Sequence, residues 1–229
     1  EECVEIWYKL YEKFPVLSEE LSNLGVKLYA MYSATPHQMG FTNGVVRTPA
    51  DLKGKRIHVF GDDPFADALA MAGATPVQLG AGELYSAFEA GMLDGIRGPS
   101  GFTEGFGISD FLKYITIFGD GGYGIGINML IMNPDFYNSL PEDIREIFDE
   151  LQPWLEKEQI ENSRIEMDQI MERLSSADHT ITVLADEEYS EWQKLVEPLN
   201  QEWIDELEAK GVPAQEIYDE IMRLIEEYK

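Results

Sequence analysis

One cysteine, Cys3, stands in 229 residues. No disulfide can form within the chain, and no cysteine-based metal site can be assembled from it. A chain without internal disulfides is compatible with a compartment outside the cytoplasm but does not demonstrate one. Basic residues are also scarce, 17 Lys and Arg against 43 Asp and Glu, for a net charge of −26. That sign repels phosphate backbones and anionic headgroups, which excludes nucleic acid and charged membrane surfaces as natural partners. No apolar run approaches the roughly 18 residues that span a bilayer, so no direct membrane insertion is expected. No basic stretch followed by an apolar one begins the chain, so a secretion signal is expected to have been removed or never included. The three histidines, His37, His58 and His179, lie far apart, and HExxH, GxSxG and Cys–His patterns are missing. No catalytic, metal or cofactor motif remains.

What is present is enough for a packed core: hydrophobic residues make up 44% of the chain and aromatic residues 11% of it, a composition that excludes disorder. Apolar side chains at spacings of three and four over residues 4–24 predict an amphipathic helix, broken near Pro15 and stopped at Gly25. Residues 26–32 form a short β run, and 35–49, with two Pro and two Gly, read as loop with at most a strand fragment. From Thr48 to Gly95 the order is turn, strand, helix, strand, helix and the start of a third strand, which predicts βαβ units and a parallel sheet. Strands follow at 114–118 and 125–132, the second so apolar that it reads as a buried central strand. A helix beginning at Leu140-Pro-Glu-Asp is predicted to run to about Ser175 with a kink at Pro153, a length that spans more than one structural unit. A strand at 180–184 and acidic amphipathic helices over 186–210 and 214–228 complete the chain.

The segment TPADLKGKRIHVF followed by GATPVQLGAGELYSAFEAGMLDG carries a resemblance at Asp51, Leu52, Lys53, Gly54, Gly73, Ala74, Pro76, Glu83, Tyr85, Ala87, Gly91, Asp94 and Gly95. It resembles the core signature of the extracytoplasmic solute-binding proteins of TRAP transporters, the C4-dicarboxylate-receptor family. The likeness continues through Lys113-Tyr114, Asn133, Phe136, Leu140 and Pro141. It implies an α/β, two-lobe periplasmic-binding-protein-like fold with a ligand cleft between the lobes and a long lobe-spanning helix. The expected divisions are 1–60 as the remainder of the N-terminal lobe, 61–133 as a central α/β lobe with crossing strands, and 134–229 as the long helix, a returning strand and the C-terminal helices. Family chains begin further upstream, so part of one lobe is expected to be missing from this chain.

The implied function is that of a periplasmic or extracytoplasmic monomer that captures a small organic ligand and delivers it to TRAP membrane subunits, without a cofactor. A ligand sensor on the same fold and an enzyme on a similar scaffold are the alternatives. In the family the arginine of "LKG.k.R" holds the ligand carboxylate through its planar fork; here that position is His58. A second family arginine falls near Met39, and the "vDGqEn" ending reads Asp94-Gly95-Ile96-Arg97-Gly98. His58, Arg97, Met39, Phe60, Gly98, Tyr123, Asn128 and Tyr85 are therefore the expected ligand contacts. With arginine gone from two places, the expected ligand is an organic acid other than a typical C4-dicarboxylate, a monocarboxylate or weakly polar solute held partly by area. The acid pair Asp62-Asp63 reads as incidental among so many acids, and GDGGYGIG (119–126) as tight turns before a buried strand rather than a phosphate loop.

Overall fold

The computed structural model describes residues 2–61, 63–99, 101, 105–119, 121–176 and 178–228. Helices α1 (Glu2–Lys13) and α2 (Pro15–Asn23) open the chain, followed by strands β1 (Lys27–Ser33), β2 (His37–Phe41) and β3 (Arg56–Val59). Next come α3 (Phe65–Met71), β4 (Thr75–Gln78), α4 (Leu84–Glu89), β5 (Gly95–Pro99), β6 (Tyr114–Ile117) and β7 (Ile127–Met132). The remainder is α5 (Pro134–Ser139), α6 (Glu142–Ser176), β8 (Thr180–Val183), α7 (Asp186–Ala209) and α8 (Ala214–Glu227). None of the described helices is long and apolar enough to cross a membrane.

Two compact units share these elements. The sheet unit comprises Thr35–Gly126 and Ile165–Gln201; the ribbon unit comprises the residues up to Ala34, Ile127–Arg164, and the residues from Glu202 onward. The 35 residues of α6 run without interruption through Pro153, and the helix supplies residues to both units.

In the sheet unit six strands take the order β4-β3-β5-β2-β6-β8. β3 runs parallel to β4 and β5, and β6 parallel to β8, but β2 is antiparallel to both of its neighbours. The strands of the segment 48–95 are parallel as expected, and the sheet becomes mixed through β2, which the segment read as loop with at most a strand fragment contributes between β5 and β6. Local sequence hides this strand because Gly40 and the flanking Pro36 resemble loop. Gly40 fits because a Cβ there would meet Leu112 at 2.9 Å. Alternation along each strand sends side chains to two faces. Face one buries Met39, Phe41, Ile57, Val59 and Tyr123 against Leu69 of α3 and Trp192 of α7. Face two buries Ile96, Ile115 and Ile117 against Leu84 and Phe88 of α4 and Ile170 and Leu174 of α6.

In the ribbon unit β1 pairs antiparallel with β7, its one strand neighbour among the described residues. The β7 strand, expected to be buried and central, has Met129, Leu130 and Ile131 all substantially exposed. Its apolar composition suits coverage on both faces, but among the described residues it has a single strand neighbour. A smaller core of Leu10, Phe14, Ile217 and Leu224 joins α1 to α8.

Candidate functional site

Strand β5 is positioned from both sides. Arg56 of β3 makes a two-pronged ion pair with Asp94, Nε to Oδ2 and Nη2 to Oδ1 at 2.9 Å each. The Arg56 backbone N–H donates to the same carboxylate at 2.8 Å, and these bonds, the Arg56 side chain foremost, hold the Asp94 carboxyl below its usual range. At Gly95 a Cβ would lie 2.7 Å from the Gly40 carbonyl oxygen, so only glycine lets β5 approach β2 this closely. The Asp94-Gly95 pair therefore fixes a register in which Arg97 stands opposite Met39.

Arg97 points to face one and is 2% exposed. Its Nη1 pairs with the Asp63 carboxylate, and its Nη2 donates to the Tyr123 carbonyl at 2.7 Å. The guanidinium lies 3.9 Å from the Phe65 ring centre and 5.8 Å from that of Tyr123, positions that attract a cation to an aromatic face. Asp63 is oriented by the Phe65 N–H, which donates to its Oδ1 at 2.9 Å. Residues 121–126 close this side. The Tyr123 N–H donates to the His37 carbonyl at 2.7 Å, and the His37 N–H to the Gly124 carbonyl at 2.9 Å. Gly124 has φ +103, and a Cβ there would sit 2.9 Å from Arg97 Nη2.

Three buried polar atoms around Arg97 make no hydrogen bond within the chain: its own Nε, Tyr123 Oη and His37 Nδ1. Such atoms are costly unless something satisfies them. Burial, and secondarily the positive charge of Arg97, pushes the His37 pKa down to about 4, so this imidazole is neutral at pH 7. Burial pushes the Tyr123 hydroxyl up, and it lowers the Arg97 pKa against the opposing pull of Asp63.

The expected contacts do not gather at one place. Met39, Arg97 and Tyr123 share face one, where Met39 is packed inside the core. His58 and Phe60 project to face two, their rings edge to face at 4.6 Å. Gly98 leaves the room that Phe60 fills, because a Cβ would meet its ring at 2.9 Å. His58 is fully buried, its Nε2 3.1 Å from the Leu79 carbonyl oxygen, and burial lowers its pKa. Tyr85, another of the expected contacts, is 48% exposed and meets Phe111 edge to face. Asn128 lies on β7, in the ribbon unit. On face two a cavity of about 30 Å³ between Gly98, Ile117 and Ile170 has room for water but not for a solute. Sequence reasoning missed His37, Asp63 and Phe65; Asp63 passed as one acid among many, and Asp62 beside it lies outside the described residues. A lone arginine entering β5 was the one signal that a buried acid had to exist nearby.

The family profile described as bacterial extracellular solute-binding protein, family 7, matches residues 6–207. The chain belongs to that family. Among curated relatives, the ectoine-binding periplasmic protein TeaA of Halomonas elongata is 24% identical over 211 residues, covering 91% of this chain and 59% of its own length. The C4-dicarboxylate-binding protein DctB of Bacillus subtilis is 24% identical over 191 residues, 82% of this chain and 53% of the relative. The chain thus spans less than two thirds of the length of these relatives. Its fold is that of the TRAP periplasmic solute-binding proteins. A marine metagenome protein specific for aromatic acids, solved with metahydroxyphenylacetate, superimposes with a TM-score of 0.87 at 20% identity, covering 100% of this chain and 71% of that one. A Bordetella bronchiseptica protein with bound mandelate gives 0.81 at 21% identity, covering 98% and 70%.

Proposed function

We propose that this chain is the solute-recognising part of an extracytoplasmic receptor that captures a small organic ligand, an organic acid other than a typical C4-dicarboxylate, and delivers it to TRAP-type membrane subunits. The observation that carries this reading is the match to the family-7 profile over residues 6–207. The buried Arg97 cluster supports it from within the molecule. Asp63, Phe65 and Tyr123 hold one guanidinium rigidly, and three hydrogen-bonding atoms around it make no bond inside the chain. A site of this kind recognises a solute rather than transforming it: it offers donors and an aromatic wall, and the relatives are named for what they bind. Of the residues expected from sequence, Arg97 and Tyr123 stand in this cluster, and His37, Asp63 and Phe65 join them. Release to a transporter requires that binding be reversible, which noncovalent contacts of this type provide.

Native mass spectrometry of the protein purified without refolding tests the reading. A co-purifying small organic mass that is lost on dilution, and whose re-addition raises the melting temperature in a saturable way, is the expected result. A protein that carries no such mass and whose melting point no small organic solute shifts would overturn it.

A further inference from the structure

The loop that follows β2 holds a reactive pair. Asn43 is the one asparagine of the chain followed by glycine, and both residues are exposed. The loop is fixed at each end. Before the pair, the Thr42 N–H donates to the Asp94 carbonyl at 3.0 Å. After it, Val46 is fully buried and its carbonyl accepts from Thr116 Oγ1 at 2.7 Å. Between these anchors Lys55 Nζ donates to both oxygens of Asn43, at 3.3 Å to the main-chain carbonyl and 3.2 Å to the side-chain Oδ1. The Gly44 N–H makes no hydrogen bond among the described residues. Gly44 has φ +71, and with no side chain of its own it leaves the approach to its nitrogen open.

These are the parts of an intramolecular acyl transfer. The nucleophile and the amide carbon belong to neighbouring residues, so the attack is unimolecular. An ammonium on Oδ1 withdraws electrons from that carbon and stabilises the oxyanion that forms when nitrogen attacks. We infer that Asn43-Gly44 is a self-modification site, at which Asn43 cyclises with assistance from Lys55 and opens to aspartate and isoaspartate. The Gly44 nitrogen loses its proton to solvent base and bonds to Asn43 Cγ; the Cγ–Nδ2 bond breaks, and the amide nitrogen takes up a proton and leaves as ammonia. Water then opens the cyclic imide. Addition at Cγ restores the main chain with an aspartate, and addition at the main-chain carbonyl carbon leaves Gly44 linked through Cγ as isoaspartate. One water is consumed, one ammonia is released, and nothing is oxidised or reduced. Both products add a negative charge to a loop that already holds the Lys55 ammonium. Asp94-Gly95 has the same route in sequence but not in structure, because Arg56 holds its carboxylate ionised, a poor electrophile, and Gly95 is buried in β5.

Incubation of the purified protein at mildly alkaline pH, followed by peptide mapping with mass spectrometry, tests this. The expected result is a mixture of aspartate and isoaspartate at residue 43, formed faster as pH rises, while Asp94 and the asparagines of α5, α6 and α7 stay unchanged. Lys55→Met should slow the conversion severalfold, less than the loss of a buried oxyanion donor because water and salt screen an exposed ammonium. Asn43→Gln, whose longer side chain cyclises far more slowly, should remove the new acidic species from ion-exchange profiles. The unsubstituted protein carries the test even where a variant folds poorly: conversion should be at least as fast in the folded state as in urea, where the Lys55 contact is lost. An Asn43 that stays intact in the folded protein while it converts in urea would overturn the inference. Equal rates with and without the Lys55 ammonium would overturn it too, and neither result would touch the receptor reading.

Discussion

Among the bulkiest fully buried side chains, Trp192, Phe41, Met39, Leu52, Ile57, Leu69 and Leu84 belong to the sheet unit, and only Leu10 and Met31 belong to the ribbon unit. The hollows are distributed the other way. The sheet unit contains the 30 Å³ cavity on its second face. In the ribbon unit a hollow of about 620 Å³ is lined by Tyr8, Tyr11, Lys27, Tyr29, Asp149 and Gln152, and another of about 410 Å³ by Trp7, Leu10, Ile221 and Tyr228. Both units come from one chain of ordinary composition, so the contrast is one of coverage. Six strands with helices on both faces close a core, whereas two strands cannot shield their apolar side chains. The ribbon unit compensates with polar bonds. Glu156 accepts from the Tyr8 hydroxyl, from the Met31 N–H at 3.0 Å and from Gln152 Nε2 at 3.0 Å. Burial, reinforced by the Glu156 bond, pushes the Tyr8 hydroxyl up to about 12. Lys13 pairs with Glu220 at 2.8 Å between α1 and α8. One unit is held chiefly by area and the other more by partners, and substitutions should tell them apart.

The largest effect is expected at Trp192. Its ring meets Phe118 at 5.0 Å and Tyr123 at 5.2 Å, and its Nε1 donates to the Arg47 carbonyl at 2.8 Å. Trp192→Ala should cost about 4 kcal/mol in urea unfolding through lost burial and the cavity left behind. A cost below about 1 kcal/mol, within the range of surface changes, would show that face one is not the tight core described.

Acid should act next, and through the sheet unit, because His37, His58 and His179 all fall within it. His37 titrates near 4 when folded and near 6.5 when unfolded, so the unfolded chain binds the extra proton between those values. Its contribution is therefore complete above about pH 6.5 and is lost as pH falls toward 4, by about 3 kcal/mol at most. Replacing His37 by Gln removes this dependence, so the difference between the two proteins isolates it from the many carboxylates. Parallel stability curves for the two between pH 7 and 4 would place His37 in contact with water.

Much of this architecture is legible locally. The turn at Asp51-Leu-Lys-Gly, the helix stop at Gly73 and the apolar runs between them depend on neighbours in sequence, and the elements from Arg56 to Gly95 fall where those signals put them. The long helix α6 announces itself by its acidic first turn and its length. The β2 strand was hidden because its partners, β5 and β6, lie more than fifty residues downstream. The exposure of β7 was hidden for a related reason, since an apolar run states what a strand needs and not whether anything covers it. At the site the sequence marks Arg97 but not Asp63, 34 residues earlier, because only the order of strands and the start of α3 bring the two together.

A smaller effect is expected at the polar hub of the ribbon unit. Glu156→Ala leaves the Tyr8 hydroxyl without its acceptor and the Met31 N–H with only its 3.1 Å bond to the Tyr8 oxygen, and an orphaned buried donor costs about 1–3 kcal/mol. A loss of about 2 kcal/mol, with faster amide exchange at Met31, is the expected outcome. Glu156→Gln keeps an acceptor oxygen and should recover about half of it, so equal losses in both variants would mean that the charge, and not the hydrogen bonding, holds β1 to α6.

The smallest effect is the sharpest test of the comparison. Ile147, Leu151 and Trp154 recur at spacings of four and three along one side of α6, and each is about half exposed, Trp154 at 57%. In the sheet unit apolar residues at such spacing lie in the core; here water already reaches them, so their removal returns little transfer free energy. Leu151→Glu combined with Trp154→Gln should change stability by no more than about 0.5 kcal/mol, the usual range for surface positions. The same pair should lower the binding of a hydrophobic dye in proportion to the apolar area removed, since contiguous exposed apolar surface is what such dyes report. Trp192, the sheet unit's single tryptophan, gives an internal reference, because its emission should not move. A loss above about 2 kcal/mol from the α6 pair would mean that these side chains are buried in solution, and the contrast between a closed unit and an open one would fail at the place where it is most exposed to measurement.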